Sequence, residues 1–363
     1  MHTALVVIGA VSLALWLGLL LAPVRPWDLR PVGEDVDEPA EPARWPEVCA
    51  VVPARNEEAC LPRTLPALRA QDYPGPLRVL VVDDRSSDGT AAAVRAAGAG
   101  LVEGAPLPDG WVGKVWALEQ GARAAGEPDY LLLTDADILH APGSLRRLVA
   151  ESEAWGLALN SRMALLRAET GWERLLVPPF LLFFNLLYPM RWANDPRRRL
   201  AAAAGGCVLL RRGAASFEEI RGAVIDDVSL ARAVKRRGGR IRLAVSRADV
   251  VSLREHGSLG PLWRMVARTA WVQLGRSRLL LAATLLGLAL LFPVPVLLLG
   301  AVVYEPKAAA LGALAWLCSS LVYRPTLRHF GLGRAWAWTL PLAGTLYGAM
   351  TLDSALRGRG DWS

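Results

Sequence analysis

The chain is poor in the residues that would staple a fold together. Its 363 residues include only four cysteines, Cys49, Cys60, Cys207 and Cys318, with no paired spacing. That speaks against a disulfide framework and leaves buried, reduced thiols as the expectation. The four histidines (His2, His140, His256 and His329) are scattered, so a histidine zinc site has no pattern behind it. No internal repeat is present. The net charge of +7 is not laid out along a stripe or groove; the excess arginines crowd against apolar segments. This charge fits an anionic phospholipid surface and a phosphorylated ligand, and excludes nucleic acid as the partner.

Long apolar runs, in contrast, are present. Residues 4–22 form a stretch of about 19 nearly all-apolar positions, enough to cross a hydrocarbon core at ~1.5 Å per residue. No basic segment precedes it, and Leu20-Leu21-Ala22-Pro23 is a poor cleavage site, so an uncleaved anchor is expected rather than a signal peptide. Residues 279–304, 308–323 and 335–352 read as three further spans, the middle ones short and carrying prolines, so that a re-entrant piece stays open. Arg25 and Arg30 follow the first span, Arg264, Arg268, Arg276 and Arg278 precede the second, and residues 324–334 are basic. Positive-inside reasoning puts the intervening domain in the cytoplasm. Arg357 and Arg359 run against that orientation and are offset by Asp353 and Asp361. Trp263 and Trp271, with arginines around them, have the character of an interfacial belt.

Between the anchor and the later spans the chain alternates strand and helix patterns. Val48-Cys49-Ala50-Val51-Val52-Pro53 is a short apolar run closed by proline, and residues 77–82 form a second. A third, Leu131-Leu132-Leu133-Thr134, ends abruptly in Asp135-Ala136-Asp137. Asp88-Gly89-Thr90 is turn and helix-start chemistry, and Gly110-Trp111-Val112-Gly113-Lys114 opens another helix. Such alternation predicts an α/β domain with a mostly parallel sheet covered on both faces, and ligands of such sheets sit beyond the carboxyl ends of the strands. Asn56, Glu57, Asp83, Asp84, Asp135 and Asp137 all fall at those ends.

Taken in order, Pro53-Ala54-Arg55-Asn56-Glu57, Val82-Asp83-Asp84-Arg85-Ser86-Ser87-Asp88-Gly89-Thr90, Trp111-Val112-Gly113-Lys114, Thr134-Asp135-Ala136-Asp137 and Ile225-Asp226-Asp227 resemble the motifs of family 2 glycosyltransferases. The resemblance covers roughly residues 46–255 and implies the GT-A fold, a nucleotide-sugar-binding sheet with flanking helices. Residues 260–270 and the membrane segments are similar, more narrowly, to the hopene-associated membrane glycosyltransferases of bacteria. That implies a multi-pass protein of the bacterial inner membrane, with one N-terminal and about three C-terminal spans. The expected layout is an anchor at 1–24, a Pro- and acid-rich linker at 25–46, the catalytic domain at 47–256, an interfacial region at 257–278 and a membrane region at 279–363.

The chemistry of the implied reaction assigns roles to these residues. A sugar nucleotide leaves as a diphosphate, so charge growing at the departing oxygen needs neutralising. Asp135 and Asp137 offer oxygen ligands to Mg²⁺ or Mn²⁺, with phosphate oxygens and water completing the shell. Lys114, at a helix start, suits a phosphate. By resemblance Glu57 and Asp84 contact the base and ribose, with Pro53, Asn56 and Asp83 beside them; a solvated turn or helix-cap acid is the plainer reading of each carboxylate. Asp226-Asp227 stands where the family pattern has Glu-Asp, implying Asp227 as the catalytic base with Asp226 next to it, although acids at a helix start also serve as caps. Gly205-Gly206-Cys207 resembles the small-residue segment beside the donor sugar. Residues 175–190, interrupted by Pro178-Pro179, are either a core segment or a surface-lying element that feeds a lipid toward Asp227. The Gln-x-x-Arg-Trp signature of processive synthases is displaced here, with Ala270 before Trp271 and with Arg268 and Gln273 out of place. The expectation is therefore one sugar moved from a nucleotide-sugar, UDP-linked in the first instance, to a lipid acceptor such as a hopanoid. Alternatives left open are a polyprenyl-phosphate or ceramide-like acceptor, and a non-catalytic nucleotide-binding subunit.

Overall fold

The computed structural model describes residues 2–29, 39–246 and 248–357. Residues 31–38 of the expected linker, and Arg30, Arg359 and Asp361 of the charge argument, lie outside them.

A first helix, α1 (His2–Leu21), precedes the sheet domain. The domain then runs β1 (Val48–Ala54), α2 (Leu61–Arg69), β2 (Leu77–Asp83), α3 (Thr90–Ala96), β3 (Gly100–Glu103), α4 (Gly113–Ala125) and β4 (Tyr130–Thr134). After the Asp135–Asp137 turn come β5 (Ile138–His140), α5 (Ser144–Trp155), β6 (Leu157–Met163), α6 (Gly171–Leu187), α7 (Met190–Ala193) and β7 (Cys207–Arg211). The domain closes with α8 (Asp226–Arg236), β8 (Arg240–Val245) and β9 (Val250–Ser252). Seven strands form one sheet in the order β3-β2-β1-β4-β7-β6-β8. β1 pairs parallel with β2 and β4, whereas β7 runs antiparallel to both β4 and β6. The mostly parallel expectation holds, with β7 as the exception.

Coverage on both faces explains the apolar runs. Val48 to Val52 of β1 are all buried. Val48, Ala50 and Val52 face α2 and α5, meeting Leu61, Leu65, Leu145 and Leu148, while Val51 faces α4 and α8, meeting Val115, Leu118 and Leu230. Successive side chains of a strand point to opposite faces, so a strand covered on both sides must be apolar throughout.

The second layer is helical: α9 (Leu259–Gln273), α10 (Arg278–Leu291), α11 (Pro293–Leu299), α12 (Pro306–His329) and α13 (Leu340–Arg357), packed with α1 and α6. Pro295 cannot donate to Leu291 O, and the Trp16 indole of α1 does so instead at 2.8 Å. Gly312 of α12 lies so close to Pro295 O that an added Cβ would be 2.5 Å from it, which lets the two helices touch. Among the described residues two helical stretches, His2–Leu21 (20 residues) and Arg278–Leu299 (22 residues), are long and apolar enough to cross a membrane. α12, which carries Lys307, Arg324 and Arg328, and α13, which carries Asp353 and Arg357, are not in that set.

Residues 175–187 belong to α6, which continues as one 17-residue helix through Pro178 and Pro179. Its start is fixed by a capping box, with Glu173 N–H donating to Thr170 Oγ1 at 3.2 Å and Thr170 N–H to Glu173 Oε2 at 3.0 Å. Its flanks are buried, and Tyr347 of α13 donates to Leu176 O within the proline-containing turn at 2.8 Å. The segment is a core helix joining sheet domain and helical layer.

Candidate active site

β1, β2 and β4 carry their acidic residues to one edge of the sheet, and each carboxylate there has a defined partner. Lys114, the second residue of α4, points at the tip of β4: its Nζ is 2.6 Å from Asp135 Oδ1 and 3.6 Å from Asp226 Oδ2. Asp226 and Asp227 open α8. Asp227 accepts the Gly205 N–H at 3.0 Å on Oδ2 and the Val228 N–H at 2.7 Å on Oδ1. A Cβ on Gly205 would sit 3.2 Å from Lys114 Nζ and 3.6 Å from Asp227 Oδ2, so a residue without a side chain is what lets these groups meet. Pro53, Lys114, Asp135, Gly205, Asp226 and Asp227 thus surround one small cavity.

The electrostatics follow from crowding. Burial would lower the Lys114 ammonium, but Asp135, Asp226 and Asp227 outweigh it and hold it well above its ordinary value. Burial raises Asp135 against the pull of Lys114. Asp227 is pushed up to about 7 by burial and by Asp226, with Lys114 and its two backbone donors pulling the other way.

A second group lies across the Asp135–Asp137 turn. Asp137 Oδ2 accepts from Ser252 Oγ at 2.6 Å and faces Arg254 Nε at 3.4 Å, while Arg254 Nη2 donates to Glu57 Oε1 at 2.6 Å. The β5–β9 pairing delivers these partners: Ile138 lies opposite Ser252, and Leu253 N–H donates to Asp137 O at 2.9 Å. Burial raises Glu57, with Arg254 opposing. Buried Asp84, at the tip of β2, has Arg55 at 3.7 Å and Arg85 at 3.8 Å, and lies against Gly113 at the start of α4. Asn56 and Asp83 act on the loops themselves. Asn56 Oδ1 accepts from Ser87 N at 2.8 Å and Asp83 Oδ1 from Ser86 N at 2.9 Å. Asn56 (φ 56°) and Arg85 (φ 55°) both hold left-handed backbone at these strand tips.

The motifs do not single out Ser252 and Arg254, whereas Gly205 belongs to the small-residue segment expected beside the donor sugar. Ser252, Arg254 and His256 recur every second residue beyond an apolar strand, and that spacing places them on one side of an extended chain. As for a divalent cation, no three His, Cys, Asp or Glu side chains among the described residues converge on one point. Asp135 and Asp137 supply hard oxygen donors of the right kind, so the residues fit a cation that draws its other ligands from a diphosphate.

A mostly parallel sheet with acid-tipped strands and a lysine at a helix start defines an α/β domain of the GT-A class. Residues 49–216 match the family described as Glycosyl transferase family 2, so the chain carries a family 2 glycosyltransferase domain. The match ends before Asp226, Asp227 and Arg254. Over 187 residues the chain is 32% identical to an N-acetylglucosaminyltransferase of Mesorhizobium japonicum, covering 49% of this chain and 42% of the relative. Over 104 residues it is 34% identical to a 4,4'-diaponeurosporenoate glycosyltransferase of Staphylococcus haemolyticus, covering 28% and 27%. The chain therefore spans less than half the length of these curated relatives. In three dimensions it is similar to a mannosyltransferase of Pyrobaculum calidifontis solved with GDP-Man and Mn²⁺. The TM-score is 0.57 at 19% identity, over 95% of this chain and 99% of that one, a likeness that shows the fold.

Proposed function

We propose that this protein moves one sugar from a nucleotide-sugar to a hydroxyl of a membrane lipid, inverting the anomeric centre, with a hopanoid as the first acceptor to test. The observation that carries the reading is the cluster of Asp135, Asp226 and Asp227 about Lys114 at the carboxyl edge of the sheet. Asp135 and Asp137, together with the donor diphosphate, would hold Mg²⁺ or Mn²⁺, which when bound would supply neutralisation of the leaving phosphate. Lys114 adds a positive charge at the same place. Glu57 and Asp84 contact base and ribose from loops that Pro53, Asn56 and Asp83 hold in shape.

Asp227 takes the acceptor proton. Its raised affinity for a proton suits that task near neutral pH, and the Gly205 and Val228 amides fix its orientation. Asp226, beside it, keeps that affinity high. Arg211, Arg212 and Arg221, the cations that a phosphate acceptor would use, are paired with Glu153, Glu127 and Glu218, which favours a neutral hydroxyl over a polyprenyl phosphate. α1 and Arg278–Leu299 are the spans, α12 and α13 complete the membrane region, and the domain at 47–256 faces the cytoplasm of a bacterial inner membrane.

The test is transfer from labelled UDP- and GDP-sugars into a lipid extract by detergent-purified protein with Mn²⁺. Asp227→Asn is expected to retain donor binding and lose transfer. Turnover unchanged in that variant removes Asp227 as base; absence of any labelled lipid from the wild type, with donor bound, removes the catalytic reading.

A further inference from the structure

Where α1 ends, the chain turns through Ala22-Pro23-Val24-Arg25, closed by Arg25 N–H on Ala22 O at 2.9 Å. An open groove of about 620 Å³ lies here, lined by apolar Leu20, Leu21, Pro23 and Trp27 together with Arg25 and Arg191. The turn is pinned from beneath: buried Asn185 donates to Pro26 O at 2.6 Å, and Arg191 Nη2 reaches Asp28 Oδ2 at 3.1 Å. Arg191 Nε is buried without a hydrogen-bond acceptor. Arg25 is exposed, and among the described residues no acidic side chain pairs with it. It also has φ of 46°, a backbone state that glycine adopts freely and arginine does not. An arginine thus stands where the backbone favours glycine.

The surroundings match the boundary of a bilayer. Leu21 is 75% exposed, Leu187 54% and Trp192 40%, so apolar surface flanks the groove. The next loop presents Arg197, Arg198 and Arg199. It is held by Lys235, whose ammonium donates to the carbonyls of Asp195, Arg198 and Leu200 at 2.9, 3.1 and 2.7 Å, and Arg198 stacks 5.0 Å over the Trp192 ring. Tryptophan with arginine at the end of an apolar helix is suited to the headgroup level, and guanidiniums there to phosphate.

We infer that this groove binds the phosphate head group of an anionic membrane phospholipid, the acyl chains lying along Leu20 and Leu21. The inference rests on the membrane reading above and concerns a lipid separate from the acceptor. On the inner side of α7, Met190 and Ala193 pack in the same cluster as Val228, next to Asp227, so an occupied groove braces the seat of the base.

The test uses the full chain in neutral detergent, with calorimetric titration of dihexanoyl-phosphatidylglycerol, dihexanoyl-phosphatidylcholine and glycerol 3-phosphate. The phosphatidylglycerol is expected to bind best. Arg25→Gly is expected to weaken it about ten-fold while the melting temperature stays level or rises, because the backbone conformation is relieved. Equal binding by Arg25→Gly and wild type, equal binding of the choline lipid, or glycerol 3-phosphate binding as tightly as the lipid would each overturn the inference, as would no binding at all. Alkaline carbonate extraction of native membranes tests the spanning reading separately. A chain released by carbonate that still shows Arg25-dependent lipid binding sinks the spans and keeps the groove.

Discussion

Replacing Lys114 by methionine keeps length and apolar bulk but removes the one ammonium among Asp135, Asp226 and Asp227. Lys114 Nζ lies 2.6 Å from Asp135 and 3.6 Å from Asp226, and its side chain is only 13% exposed. Breaking a buried pair by deleting one partner costs about 3–5 kcal/mol, and the residual exposure of Asp135 places this case near the lower end, about 3 kcal/mol. At ~2.1 cal/mol/K of unfolding entropy per residue, a chain of 363 residues that unfolds as one unit then falls by roughly 4 °C in melting temperature. The loss also has a pH signature. Without the lysine, the neighbouring carboxylates bind protons more tightly in the folded chain than in the unfolded one, so folded stability declines as pH rises. The deficit relative to wild type should be largest near about pH 8 and shrink toward about pH 5.5, where protonation relieves the repulsion. Thermal unfolding followed by the fluorescence of the 14 tryptophans, in detergent with EDTA, reads this directly. An equal loss at both pH values would mean that only packing changed, and no loss at either would mean that the cluster is not coupled; either result refutes the electrostatic account.

Because Asp227 is raised to about 7 by burial and Asp226, kcat/KM should climb with pH and reach half its plateau near 7, with Asp226→Asn moving that midpoint to lower pH; a flat profile removes the base assignment. Gly205→Ala brings a methyl to 3.2 Å from Lys114 Nζ, and a displacement of a few tenths of an ångström there should reduce transfer about ten-fold with a melting shift of only a few degrees, measured side by side. Glu173 accepts the N–H groups of Glu169, Thr170 and His256, so Glu173→Ala should cost about 3 kcal/mol in urea unfolding. Burial pushes Glu173 up, but those donors overcome it and hold it below its usual value. Its contribution is therefore present above about pH 4.5 and lost as pH falls through the lowered value, and the difference between mutant and wild type should close in acid.

What could be read from residues alone were features written locally. The Leu131–Leu133 run ending in Asp135-Ala136-Asp137 needs only short-range pattern, and so does the helix start at Lys114. The direction of β7 does not appear in its residues. Cys207–Arg211 is as apolar as β1, and only its register on β4, with Tyr130 opposite Arg211, makes it antiparallel. Pro178 and Pro179 are breakers by local rule, yet α6 passes through them because helices and hydrogen bonds from elsewhere in the chain surround it. Lys114 is legible as a cation at a helix start. Its engagement by Asp226 depends on α4 and α8 lying near one another on the same face of the sheet, which no local spacing encodes.

The partnership of Asp137 with Arg254 joins residues 117 positions apart, and this distance has a meaning in time. A chain made at about 5–20 residues per second leaves the Asp135–Asp137 turn waiting on the order of ten seconds for its arginine. Throughout that interval Asp137 and Glu57 lack the guanidinium that later sits between them, and β5 has no β9 to pair with. The arginine arrives just before α9, ahead of α10 to α13. The order of synthesis therefore lets the sheet domain neutralise itself while the later apolar helices are still unmade.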